Sequence, residues 1–149
     1  MSSTQFNLQA HVNRLLRSFR HWTGRELIDA GSDSVSALDL APFPVLSHGS
    51  EPDPILNYGN RLALRLWEME WEEFIRTPSR FTAEAPVREE RARFLAQVAS
   101  RGFVENYSGV RISKTGKRFR ISGGIVWSLI DESGSPVGQV ATFDSWVAL

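Results

Sequence analysis

The sequence predicts one α+β domain: a five-stranded antiparallel sheet with helices packed on one face, plus an N-terminal amphipathic helix. Three observations carry that expectation. A helical apolar stripe runs from Leu8 to Trp22. A second helix opens on Pro86. The last third of the chain is strand-like, in three runs joined by tight turns. A chain of 149 residues with 42% hydrophobic and 23% charged residues suits a single soluble domain.

The first helix is the clearest periodic segment. Leu8, Val12, Leu15, Leu16, Phe19 and Trp22 fall on one face, Ser3 or Thr4 can cap the start, and Gly24 stops the end. Residues 1–30 read as this helix and its turn, residues 31–41 as a linker, and residues 42–149 as the main domain. Phe43–His48 and Ile55–Tyr58 read as short strands between prolines. Asn60 caps a helix from Arg61 to about Met69, with Trp67 and Trp71 on one face. The helix from Pro86 to Ser100 buries Phe94, Leu95 and Val98 and closes at Gly102. The strand runs are Phe103–Ser113, Lys117–Ile130 and Val137–Val147. In the middle run Phe119, Ile121, Ile125, Trp127 and Leu129 share one parity and so one expected face. Arg118, Arg120, Ser122 and Ser128 take the other.

Composition removes whole classes of function. With no cysteine there is no disulfide, zinc-thiolate or iron–sulfur site, no thiol nucleophile and no thiol to bond a flavin. The balance of 17 basic and 17 acidic residues argues against binding nucleic acid by bulk charge. No apolar run is long enough to span a membrane, and a cytoplasmic location is expected. Residues 1–25 carry four arginines and no acid, a pattern shared by structural helices, transit peptides and membrane-surface helices. The strong apolar stripe favours the structural helix. His11, His21 and His48 lack metal-ligand spacing.

The order of helices and strands resembles a PAS domain. A more specific resemblance lies in Gly102–Ile121 (GFVENYSGVRISKTGKRFRI), Val126–Asp131 (VWSLID) and Gly138–Trp146 (GQVATFDSW). With Trp71–Phe74 (WEEF) and Pro78–Ala85 (PSRFTAEA), these segments resemble the MEKHLA domain family, which is PAS-related, over about residues 40–149. The resemblance implies a sensory or interaction module with a ligand cavity between sheet and helices. It implies no reaction and names no ligand, and the first helix lies outside its extent. No histidine lies on the helix of residues 86–100, where haem-binding PAS domains supply one. The cofactor is left unassigned.

Three constellations are candidate sites. Trp67, Trp71, Trp127 and Trp146 can wall a core or an aromatic pocket. Arg80, Glu84 and Arg88 can form an ion-pair network or a polar clamp at a pocket mouth. Arg111, Lys114, Lys117, Arg118 and Arg120 form a basic hairpin, either a solvated tip or an anion-binding surface. Arg111 differs from the others of this set. If the face it shares with Tyr107 looks inward, it is a buried cation that needs a carboxylate or an anionic ligand. The expected ligand-binding set is therefore Trp67, Trp71, Arg80, Glu84, Arg88, Tyr107, Arg111, Trp127, Asp144 and Trp146. The expected homodimer interface is Leu8, Val12, Leu15, Leu16, Phe19 and Trp22. The expected function is non-enzymatic: a small molecule in the cavity, with the signal passed through a dimer or to a separate output protein. Two rivals stand beside it. One is a pocket enzyme built on Tyr107, Glu84, Arg111 and Asp144. The other is a pure protein-interaction module.

Overall fold

A computed structural model describes residues 7–29, 31 and 33–149, with the backbone alone for residues 85–88. The elements run α1 (Leu8–Thr23), α2 (Ser34–Asp39), β1 (Val45–His48), β2 (Leu56–Gly59), α3 (Arg61–Trp67) and α4 (Trp71–Phe74). A 3-10 turn at Ser79–Thr82 follows. Then come α5 (Ala85–Arg101), β3 (Phe103–Ile112), β4 (Arg118–Ile130), β5 (Pro136–Thr142) and β6 (Ser145–Ala148). The strands pair antiparallel in the order β2-β1-β5-β4-β3. The last strand-like run is two strands. β5 pairs with the second half of β4, and after Phe143–Asp144 the chain returns as β6 beside the first half.

Local chemistry sets the element ends. Gly24 takes φ 73° and its N–H closes α1 on Arg20 O at 2.8 Å. Asn7 caps the start of α1, its side-chain oxygen accepting the Ala10 N–H at 3.0 Å; Ser3 and Thr4 lie outside the described residues. The expected linker contains α2, capped by Asp33, with Leu38 fully buried beneath it. Trp67 and Trp71 do not share a helical face. Glu68 turns into the left-handed region at φ 61° and ends α3 between them.

Asn60 ties three of these pieces together. Its Oδ1 accepts the N–H groups of Val45 and Ala63, at 3.0 and 3.2 Å. Its Nδ2 donates to Leu38 O and Phe43 O, at 3.0 and 2.9 Å. All four bonds are made by a side chain with no exposed surface.

The sheet has a core on each face. On one, α1 and α2 pack Val12, Leu15, Phe19 and Leu38 against Val45, Tyr58, Trp127, Leu129 and Val140. On the other, Ala63, Trp67 and Phe74 of α3 and α4 pack against Leu46, Leu56, Phe119, Ile121 and Phe143. The strict alternation expected along β4 therefore fails. Phe119 and Ile121 belong to one core, and Trp127 and Leu129, with Ile125 packed beside them, to the other. The cause is a bulge at Gly123. This glycine has φ 64°, three β4 residues there span two of β3, and every later side chain changes face. A Cβ at this position would also collide with the Asp144 carboxylate.

Candidate functional site: a cavity between the sheet and α5

The second face is not filled to its edge. Past Trp67, a cavity of about 50 Å³ opens between the sheet and α5. That space holds a handful of water-sized groups. Its floor is Leu46, His48, Ile121, Val126, Gln139 and Ala141; its roof is Arg91, Phe94 and Leu95; Tyr107 and Arg111 close one end.

Strand register places the polar groups. His48 on β1 stands opposite Gln139 on β5. Arg111 on β3 stands opposite Phe119, and Gly109 opposite Ile121, so the Tyr107–Arg111 side of β3 looks inward. Arg111 keeps 9% of its surface exposed. It donates to Tyr107 Oη at 2.7 Å and to Val110 O at 2.8 Å. Tyr107 stacks on Phe94, with ring centroids 3.9 Å apart. Arg91 reaches the same space from α5. Burial and then the charge of Arg111 lower its pKa to about 10, against the pull of Tyr107. Among the described residues neither arginine makes an ion pair.

Two acceptors face these cations. His48 Nδ1 lies 2.9 Å from Gly49 O, a carbonyl that can only accept, so Nδ1 carries the proton. Burial first, and the nearby charge of Arg91, lower the imidazole pKa despite that hydrogen bond. The neutral ring thus turns a bare Nε2 lone pair inward, and that atom is buried without a partner. Gln139 donates from Nε2 to Leu95 O at 2.9 Å, which leaves its Oε1 buried and unpartnered as well.

Of the ten residues expected to bind a ligand, Trp67, Tyr107 and Arg111 line this cavity. Trp127 lies across the sheet, edge-on to Phe19 with centroids 4.8 Å apart. Trp71 packs beside Tyr58 over a shallow groove near α2. Trp146 packs on Phe143 outside the cavity. Asp144 is exposed beside Gly123. Arg80 pairs with Asp53 at 3.1 Å, and Glu84 with Arg118 at 3.5 Å, so the expected Arg80–Glu84–Arg88 network is not formed by its first two members. The Arg88 side chain lies outside the described residues. The polar set of the pocket enzyme is likewise split, with Glu84 and Asp144 away from Tyr107 and Arg111.

The basic hairpin is docked rather than free. Glu68 accepts from Ser113 Oγ and Thr115 Oγ1 and pairs with Lys117, and Lys114 pairs with Glu73. The two hydroxyls and the lysine hold the Glu68 carboxyl down to about 2. The expected dimer stripe is also spent inside the chain: Val12, Leu15 and Phe19 are buried against the sheet, and Trp22 donates to Ser128 O at 2.9 Å. His48, Arg91, Phe94, Leu95 and Gln139 had no place in the expected set. The signal for His48 and Gln139 was strand parity, which needs a register that the sequence alone does not supply.

Comparison with known proteins decides the family. The model of the MEKHLA domain matches residues 9–148. The chain belongs to the MEKHLA domain family. The match begins inside α1, so the family's span takes in the helix expected to precede it. No curated protein matches the sequence. Solved structures show the PAS/LOV fold. The PAS domain of a protein from Colwellia psychrerythraea is 14% identical with a TM-score of 0.65, over 74% of this chain and 91% of that one. A light-oxygen-voltage domain studied with a flavin analogue is 18% identical with a TM-score of 0.60, over 77% and 83%. The LOV domain of a blue-light activated histidine kinase from Erythrobacter litoralis EL346 is 18% identical with a TM-score of 0.54, over 72% and 96%. Among the described residues no helix is long and apolar enough to cross a membrane.

Proposed function

We propose that this MEKHLA domain is a non-enzymatic sensory module that takes a small molecule into the cavity under α5. The observation that carries the reading is the cavity itself, lined by polar groups that the fold leaves unsatisfied. Folded proteins pair nearly all such groups, and their cost is tolerated where a ligand completes them. A space of about 50 Å³ is scaled to a small metabolite, not to a three-ring flavin, and no cysteine is present to bond one.

Occupancy has a physical route outward. α5 roofs the cavity and ends at Gly102, whose carbonyl accepts the Ser128 N–H at 2.8 Å. The Trp22 ring of α1 lies against Gly102 so closely that a Cβ there would overlap it. A ligand that favours one position of α5 thus shifts the joint between α5 and α1, and a separate output protein reads that change. Native mass spectrometry of protein purified from its own host tests the reading. A retained small molecule, lost when Ala141 is enlarged to Phe, is the expected result. An apo mass, together with hydrogen exchange in α5 that A141F leaves unchanged, overturns it.

A further inference from the structure

We propose that the molecule this cavity takes is a small organic carboxylate that also carries a hydroxyl or N–H donor on an apolar body. The inference rests on the cavity reading above and adds the ligand's chemistry.

Two guanidiniums share one space, Arg111 buried and Arg91 half-buried. Arg111 spends two of its donors on neutral oxygens, and the Arg91 guanidinium has no hydrogen-bond partner among the described residues. Bringing two cations together in a low-dielectric space is unfavourable unless an anion joins them. Every ion pair among the described residues lies on the surface, where both partners are partly exposed. Two charges left without a carboxylate where solvent is scarce are therefore out of pattern for this chain. A planar carboxylate matches the guanidinium fork and can bridge two of them.

The opposite wall asks for the reverse chemistry. His48 Nε2 and Gln139 Oε1 are both acceptors without a donor, and β1–β5 pairing sets their residues side by side. One hydroxyl or N–H on the ligand satisfies either of them. A second carboxylate there would face two lone pairs, so a dicarboxylate is rejected. Between the polar ends lie Trp67, Phe94, Leu95, Ile121 and Val126, which fit an apolar or aromatic body.

The test uses matched probes on the full chain, followed by calorimetry and by quenching of tryptophan fluorescence, to which Trp67 at the cavity contributes. The probes are 4-hydroxybenzoate, benzoate and 4-hydroxybenzamide, with 2-hydroxyisobutyrate, isobutyrate and 2-hydroxyisobutyramide as the smaller set. In whichever set fits, the hydroxy acid binds best, and loss of either the charge or the hydroxyl weakens it by about tenfold or more. Arg91→Met removes acid binding and raises the melting temperature of the unliganded protein, because it relieves the repulsion. A merely structural arginine gives the opposite shift in melting temperature. Arg111→Met serves as the second binding variant, with Arg120→Met, on the same hairpin and exposed, as the control. Equal binding of the amide and the acid overturns the carboxylate assignment while leaving the cavity reading standing. If no probe of either set binds and the protein from its host carries nothing, both fail together.

Discussion

The two faces of the sheet use the same materials to different ends. On the α1 face the helix lays its stripe directly on the strands, and Phe19 meets Trp127 edge-on with no space between. On the α5 face the packing is as dense around Trp67 but stops short, and the roof helix carries an arginine where a core would carry a leucine. One face is a stability element and the other exchanges some stability for a polar space. Closed packing tolerates no loss of volume, whereas a cavity wall already has room.

That contrast is broken most directly at Trp127. Trp127→Ala on the closed face costs about 3–5 kcal/mol in urea unfolding. Phe94→Ala on the roof of the cavity costs about 1–2 kcal/mol, because that ring is partly exposed already. Equal losses would mean that the α5 face is as filled as the other. Asn60→Ala comes next, at about 3 kcal/mol. It strips the cap of α3 and orphans buried N–H and C=O groups on α2, β1 and α3 together.

Much of this fold was legible in the sequence, and the reason is local. The α1 stripe, the Asn60 cap, Pro86 near the start of α5 and the hairpin turn at Lys114–Gly116 each act within a few residues. The site was less legible because it depends on register. Counting parity along β4 puts Trp127 with Phe119, and one positive φ at Gly123 puts them on opposite faces. Arg111 is legible because it shares a face with Tyr107, and the extra residue opposite Tyr107–Gly109 lies on β4, which leaves the parity along that part of β3 intact. His48 and Gln139 become neighbours only once β1 pairs with β5, across about ninety residues of chain. The α1 stripe predicts burial but does not say whose surface covers it, and in this chain Val12, Leu15 and Phe19 pack on its own sheet.

Acid sharpens the comparison, since each face holds a neutral histidine. On the α1 face His11 lies 3.0 Å from Ser47 Oγ, and burial, then Arg14, lower its pKa from 6.5 to about 4. His48 on the cavity face is lowered too. For both, the folded chain binds fewer protons than the unfolded chain. Their stabilisation is complete above pH 6.5 and is lost as pH falls toward the folded value. The His11 share by pH 4 is on the order of 2 kcal/mol after allowance for its partial exposure. The Glu68 carboxyl, held at about 2, adds its loss only below its ordinary value of 4.5. Unfolding curves between pH 6.5 and 4.5 therefore report the histidines, and His11→Gln should flatten that slope. A slope unchanged in His11→Gln would assign it to the cavity face.

The smallest effect belongs to a contact that serves neither face. Arg80 pairs with Asp53 at 3.1 Å and lies over the Phe81 ring at 4.3 Å, both in solvent. The attraction is weakened by water and salt, and two flexible side chains lose freedom to hold it. Arg80→Ala should change stability by less than about 0.5 kcal/mol and leave the affinity for 4-hydroxybenzoate unchanged. A clear loss of affinity in that variant would return Arg80 to the mouth of the cavity, and with it the polar clamp that the sequence suggested.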